Sequence, residues 1–293
     1  MYKIIVWGLG KEFHQSINIL KYYTMLRQIE IVALTATSVP NVNMIDEYKV
    51  IKTEDIKNTE FDFVLIMSEK YFRNISQNLN SMGVDNAKIL RGKILNIPNM
   101  DFKEYVKLKQ SKLTIVSNTC WGGMLYATLG MECLSPFKNL YFYDTDYIKV
   151  LSNFKEYMEI EPQFQKFGSI GGRNYPILRI KDIDIHCNHD ADPDEAIEKW
   201  NRRRKKINYN NMLVEMSTFD RKIAEKFCDL KNYNKKVCLV PFEMNCKYVV
   251  KLEMLPGQKE FWQTANETAV LGVDTYNFSI IDLCNGIIKH RYL

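Results

Sequence analysis

The chain has 293 residues, of which 46% are hydrophobic and 26% charged, so it can bury a large core, and its length suggests two domains more readily than one. Its longest apolar runs, such as residues 4–7 and 63–67, fall far short of the roughly 20 residues that a membrane-crossing helix needs. The net charge of +5 comes largely from one cluster at residues 202–206, and with no interleaved aromatics it does not point to nucleic acid.

Taken in order, the hydrophobic pattern predicts a strand at 3–7, a helix at 12–27, strands at 29–34 and 62–67, a helix at 70–82 and a strand at 87–90. Pro98 and the charged stretch 101–112 read as a connector, helical in part, with a boundary near Gln110 that divides the chain into domains 1–110 and 111–293. Beyond it come a strand at 113–116, a helix at 122–129, a strand at 140–143 and a helix at 146–158. A flexible loop at 168–172 follows, then strands at 177–180 and 183–186 around the turn Lys181-Asp182. A helix at 193–206, a strand at 212–215, a helix at 221–230 and strands at 236–240 and 248–252 complete the pattern. This alternation predicts an α/β fold, with two tandem Rossmann-like domains and mostly parallel sheets.

The start of the chain reads directly as a strand, with no charged-then-apolar leader, so no secretion signal and a cytoplasmic location are expected. Seven cysteines (Cys120, Cys133, Cys187, Cys228, Cys238, Cys246 and Cys284) are odd in number and form no C-x-x-C pair, which predicts reduced thiols and no zinc ribbon.

Gly8-Leu9-Gly10 stands between a strand and a helix, the context of a phosphate-binding turn. The third small residue of that fingerprint is replaced by Phe13, and Leu34-Thr35-Ala36-Thr37-Ser38 lacks the acid that would hold a ribose. Gly8 and Gly10 are therefore cofactor-binding candidates set against a purely structural turn, and no cofactor is assigned. With Ile31-Val32-Ala33-Leu34 and Phe61-Asp62-Phe63-Val64-Leu65-Ile66-Met67-Ser68, this half resembles the small Rossmann-like domains that accompany bacterial sugar-modifying enzymes. The resemblance implies sugar-nucleotide chemistry nearby.

In the second half, Ser117-Asn118-Thr119-Cys120-Trp121-Gly122-Gly123 joins a predicted strand to a predicted helix. Unpaired N–H groups at such a helix start suit an anionic ligand, making Ser117, Asn118, Trp121, Gly122 and Gly123 binding candidates. Cys120 at the same place is either a nucleophile favoured by the helix N-terminus or a small buried thiol. His186 and His189 close a predicted strand, where either could act as a general base oriented by Asp190 or Asp192. His186 and Asp190 also fit the H-x-x-x-D spacing of some acyltransferases, a pattern short enough to arise by chance. A metal site from His186, His189 and Asp190 lacks an obvious further ligand.

Asp192, Pro193 and Glu195 form a helix start of cap, first-turn proline and capping box. Arg203 shares helical spacing with Ala196, Trp200 and Ile207, so its guanidinium should meet a carboxylate or a ligand phosphate. From residue 113 to about 213 the chain resembles an uncharacterised bacterial family associated with exopolysaccharide biosynthesis and known as a domain of unknown function. The matching residues include Cys120-Trp121-Gly122-Gly123, Asp146-Tyr147-Ile148-Lys149, His186, His189, Lys199-Trp200 and Arg203. Thr119 stands where an Asn is common.

The resemblance implies a role in making or decorating surface polysaccharide and carries no established reaction; the residues themselves lead to the expectation of a transferase of surface polysaccharide biosynthesis or modification. Its partners would be a small activated donor, a sugar nucleotide or an acyl compound, and a saccharide acceptor, with no nucleic acid and no membrane span; a homo-oligomer is left open. Cys120, His186, His189 and Asp190 are its candidate catalytic groups, and Lys199 and Arg203 would add to the ligand contacts. If Cys120 is the nucleophile, the reaction becomes acyl transfer through a thioester. The alternative is a non-catalytic sugar-nucleotide-binding or scaffolding module, and an oxidoreductase using the first domain is disfavoured by Phe13 and the missing acid.

Overall fold

The computed structural model describes residues 1–97, 100–271 and 279–288, so Pro98, read from sequence as part of a connector, lies outside the described residues. The chain forms two compact units, Met1–Gln110 and Ser111–Leu293.

The first unit is built on β1 (Tyr2–Trp7), α1 (Lys11–Met25), β2 (Ile29–Thr35), the small antiparallel pair β3 (Met44–Ile45) and β4 (Tyr48–Lys49), β5 (Phe63–Ile66), α2 (Phe72–Ser81), β6 (Ile89–Arg91) and α3 (Phe102–Gln110). Its main sheet is parallel, in the order β2-β1-β5-β6. Alternation along β1 sends Ile5 and Trp7 to one face, where they pack with Val64, Ile66 and the α2 residues Ile75 and Leu79. Aromatic contacts of Phe102 with Tyr2 and Tyr23 tie α3 to β1 and α1. Residues 101–112 are therefore not a connector: α3 buries Phe102, Tyr105, Val106 and Leu108 as part of this unit's packing.

The second unit begins with β7 (Thr114–Ser117) and α4 (Trp121–Thr128), then α5 (Asp144–Ser152) and α6 (Phe154–Glu159). The single helix expected at 146–158 breaks at Asn153, whose backbone leaves helical geometry (φ −131°, ψ 41°). An antiparallel sheet follows, β8 (Gln163–Ile170), β9 (Arg173–Ile180) and β10 (Ile183–His186), in the order β10-β9-β8. The expected loop at 168–172 is thus mostly strand, with the chain reversing at Gly171 and Gly172, both at positive φ. The expected strand at 140–143 reduces to one bridge, between Tyr141 and His186.

Then come α7 (Pro193–Arg204), β11 (Met212–Ser217), α8 (Arg221–Asp229), β12 (Lys235–Val240), β13 (Val249–Lys251), α9 (Phe261–Leu271) and α10 (Ile280–Cys284). Strands β13-β12-β11-β7 form a second parallel sheet in that order. On one face Val116, Val214 and Met216 share a core with Tyr147 and Val150 of α5 and with Ile223 and Phe227 of α8. On the other, Gly122 of α4 lies against Ile115 and Ser117. The helices that follow the neighbouring strands β7 and β11 therefore leave toward opposite faces, the arrangement in which open α/β sheets place their ligand crevice at the carboxyl ends of the strands. Cys228 and Cys246 form a disulfide, so the expectation that all seven thiols are reduced is corrected: the end of α8 and the loop after β12 pack on the same core and bring the two together.

Candidate functional site

The loop leaving β7 lies at those carboxyl ends, and its three successive residues are tied to three distant parts of the second unit. Asn118 donates from Nδ2 to the Ser217 carbonyl at 3.0 Å and to Asp144 Oδ1 at 3.2 Å, while its Oδ1 accepts from the Ser217 N–H at 3.0 Å. Thr119 donates to Asn266 Oδ1 at 2.8 Å. Cys120 Sγ stands 3.2 Å from His189 Nε2. The thiol is partly covered and the imidazole exposed, so the pair is open to solvent. Burial pushes the Cys120 thiol above its ordinary range, whereas the neighbouring imidazole and the N-terminus of α4 favour the thiolate.

At the first turn of α4 the N–H donors of Trp121 and Gly122 are already used by the protein's own hydroxyls. Ser117 Oγ accepts the Gly122 N–H at 3.0 Å, and Thr119 Oγ1 accepts the Trp121 N–H at 3.4 Å. Trp121, Gly122 and Gly123 are all buried, and the Trp121 indole donates to Thr268 Oγ1 at 2.8 Å. The two glycines serve close packing. A Cβ on Gly122 would lie 2.8 Å from Ser117 Oγ, and one on Gly123 would lie 2.6 Å from Asn139 Oδ1.

The residues after β10 separate into distinct roles. His186 is buried, with Nδ1 3.1 Å from the Tyr175 hydroxyl and with the rings of Tyr141 and Tyr143 packed edge-on against it. Burial lowers its pKa, keeping the ring neutral at physiological pH, and its Nε2 has no hydrogen-bond partner among the described residues. Asp190 does not orient either imidazole: it accepts from Lys199 Nζ at 2.6 Å, and Lys199 also meets Glu195 at 2.7 Å. Those two carboxylates raise the Lys199 pKa. Lys199 is thus engaged in ion pairs, and Glu195 spends its carboxylate there and not in a capping box. Asp192 caps α7 by accepting from the N–H groups of Asp194 and Glu195. Arg203 donates to the Lys138 carbonyl at 3.2 Å, and no carboxylate among the described residues pairs with it.

Sequence reasoning missed Asp144, Thr218 and Glu215. Asp144 accepts from Thr218 Oγ1 as well as from Asn118, and burial nevertheless pushes its pKa up. Glu215 is fully buried with neither carboxyl oxygen hydrogen-bonded among the described residues, and burial, then the charge of Asp144, raise it well above the ordinary glutamate range. The acidic residue amid the apolar run Leu213-Val214-Glu215-Met216 was the available signal.

In the first unit Gly8 has φ +114°, and a Cβ there would come within 3.0 Å of the Met67 carbonyl oxygen, so this glycine is needed where the chain passes the end of β5. Gly10 precedes α1 with open space around it. At the first turn of α1 Glu12 accepts the Glu69 N–H at 3.1 Å, and Phe13 is buried. A carboxylate, Glu12, therefore stands beside the turn where an anionic ligand would be drawn.

Among the described residues no group of three or more His, Cys, Asp or Glu side chains is placed to hold a metal ion, and no helix is long and apolar enough to cross a membrane. Residues 1–90 match a family described as C2185-like, N-terminal. An uncharacterized protein of Haemophilus influenzae is 29% identical over 114 residues, which cover 39% of this chain and 53% of that protein, so the match spans about half the relative's length. Residues 91–285, well over half of the chain, match the family described as Domain of unknown function (DUF1919), and the chain belongs to that family.

Proposed function

We propose that the protein is an acyltransferase that works through a thioester on Cys120, with His189 as its base. The contact of 3.2 Å between Cys120 Sγ and His189 Nε2 carries this reading. A thiol and an imidazole at hydrogen-bond reach, at the start of a helix and accessible to solvent, are the groups that nucleophilic acyl transfer needs. His189 takes the thiol proton as sulfur attacks the donor carbonyl, and returns it to the departing group. It then takes the proton of an acceptor hydroxyl, which attacks the thioester, and the proton goes back to sulfur. The donor's leaving group and the acylated acceptor are the two products, so each cycle restores the free thiol.

Between the two donor classes the occupied amides of Trp121 and Gly122 favour an acyl donor over a sugar nucleotide, whose phosphates would require those donors. The acceptor in this reading is a saccharide of surface-polysaccharide biosynthesis or modification. The tyrosines around His186 support it, since amphipathic rings offer both a flat apolar face and hydroxyl groups.

The test is intact-mass measurement of the full chain after incubation with acetyl-coenzyme A and with longer acyl-coenzymes A. The expected result is one hydroxylamine-sensitive acyl adduct, absent from Cys120→Ala and formed roughly 10²- to 10⁴-fold more slowly by His189→Ala. A wild-type protein left unmodified by every one of these donors would remove the proposal.

A further inference from the structure

Strand β8 is exposed along nearly its whole length and, among the described residues, pairs only with β9. Phe164 faces Leu178 and Lys166 faces Ile177, so Gln165 is an extra residue that bulges the strand. The bulge shifts the alternation and puts Phe164 and Phe167 on one face, with ring centroids 5.0 Å apart. Across from them stand Leu178 and Pro176. Leu178 belongs to the core of the second unit, whereas Phe164 is 43% and Phe167 52% exposed, and Ile170 beside the turn is 56% exposed.

Charge on this hairpin has one sign. Residues 163–181 contain no Asp or Glu, and they contain Lys166, Arg173, Arg179 and Lys181. Near the base Arg179 is paired with Asp184 at 2.6 Å and Lys181 with Glu156 at 2.5 Å. Toward the turn, Lys166 and Arg173 are exposed and have no ion pair among the described residues. The outer half of the hairpin therefore carries three exposed apolar side chains, two unneutralised cations and no anion.

A surface that accepts both features at once is apolar beneath and anionic at its rim, which describes a bilayer containing acidic phospholipid. A second copy of the chain fits less well. The bulge at Gln165 and the lysine beside it are devices that keep an edge strand from pairing with another, and a symmetric partner would bring like charges together. We infer that the outer half of the β8–β9 hairpin is a docking arm for anionic membrane surfaces, with Phe164, Phe167 and Ile170 entering the headgroup layer beside Lys166 and Arg173. It rests on the membrane and does not span it, and the inference is independent of the chemistry at Cys120.

The experiment is co-sedimentation of the full chain with vesicles of phosphatidylcholine alone and of phosphatidylcholine mixed with phosphatidylglycerol. Binding is expected only to the mixed vesicles and should weaken with added salt. Lys166→Ala and Arg173→Ala should each lower it roughly fivefold, and the triple change Phe164→Ser, Phe167→Ser, Ile170→Ser should lower it more than about tenfold. Because all five side chains are exposed, the variants should keep the wild-type circular dichroism and melting temperature, which is measured alongside. No binding to the mixed vesicles, or equal binding by the triple variant, would overturn the inference. So would a concentration-dependent dimer that the triple variant loses in the absence of vesicle binding, which would assign the face to a second copy.

Discussion

Asn118 and Ser217, 99 residues apart in sequence, share two hydrogen bonds of 3.0 Å through opposite ends of one carboxamide. The side chain continues the pairing of β7 and β11 past the point where the strands end, and it reaches Asp144 as well. It fastens the floor on which Cys120 is held.

Asn118→Ala removes three bonds at a buried position and leaves the Ser217 N–H without its acceptor. The expected loss is about 2–4 kcal/mol of unfolding free energy in urea titration. A loss below about 1 kcal/mol would mean that water replaces the carboxamide without strain.

The glycines should respond unequally to alanine. Gly123→Ala places a methyl 2.6 Å from Asn139 Oδ1 and 3.1 Å from Lys138 Cγ, so about 1–3 kcal/mol of destabilisation is expected. Gly10→Ala meets nothing within 4 Å and should lower stability by less than about 1 kcal/mol. Similar losses for the two in parallel urea titrations would contradict the packing role given to Gly123.

Glu215 should make the second unit less stable as pH rises. Its folded-state pKa lies well above the ordinary value, so over the interval between the two the native state keeps a proton that the unfolded chain releases. Stability then falls by about 1.4 kcal/mol per pH unit from the ordinary glutamate range of about 4.3 upward, until the folded pKa is passed. Glu215→Gln should flatten this slope, matching the wild type in acid and exceeding it at neutral pH. Urea titrations at a series of pH values measure it, and an unchanged slope in the variant would assign the effect to other groups.

The alkylation of Cys120 by iodoacetamide should report its partner. Burial alone raises the thiol, so reactivity near neutral pH depends on His189. His189→Gln should move the midpoint of the rate against pH upward, to or beyond the ordinary cysteine value of about 8.5. Superimposable profiles would show that the imidazole does not share the thiol proton.

Much of the α/β pattern was legible because buried parallel strands such as Ile4-Ile5-Val6 and Val237-Cys238-Leu239 leave unbroken apolar runs. β8 was not, since a strand exposed on both faces has no face to alternate and its Gly168 and Gly171-Gly172 read as a loop. The apolar, aromatic stretch 140–143 misled in the other direction: Leu140 and Phe142 are buried by packing, with only one bridge's worth of strand pairing. At the site, composition marked Cys120 and His189 as reactive types, but their contact spans 69 residues and no spacing rule encodes it. Adjacency suggested His189 with Asp190, yet the turn closed by the Asp190 N–H on the Cys187 carbonyl leaves that carboxylate with Lys199. Arg203 was placed on the right stripe of α7, and a backbone carbonyl answered its charge.

The anchoring of Thr119 to Asn266 spans 147 residues of the second unit, Ser111–Leu293. During synthesis the loop that carries Cys120 therefore emerges well before α9, and its hydrogen-bonded setting is complete only once that helix has been made.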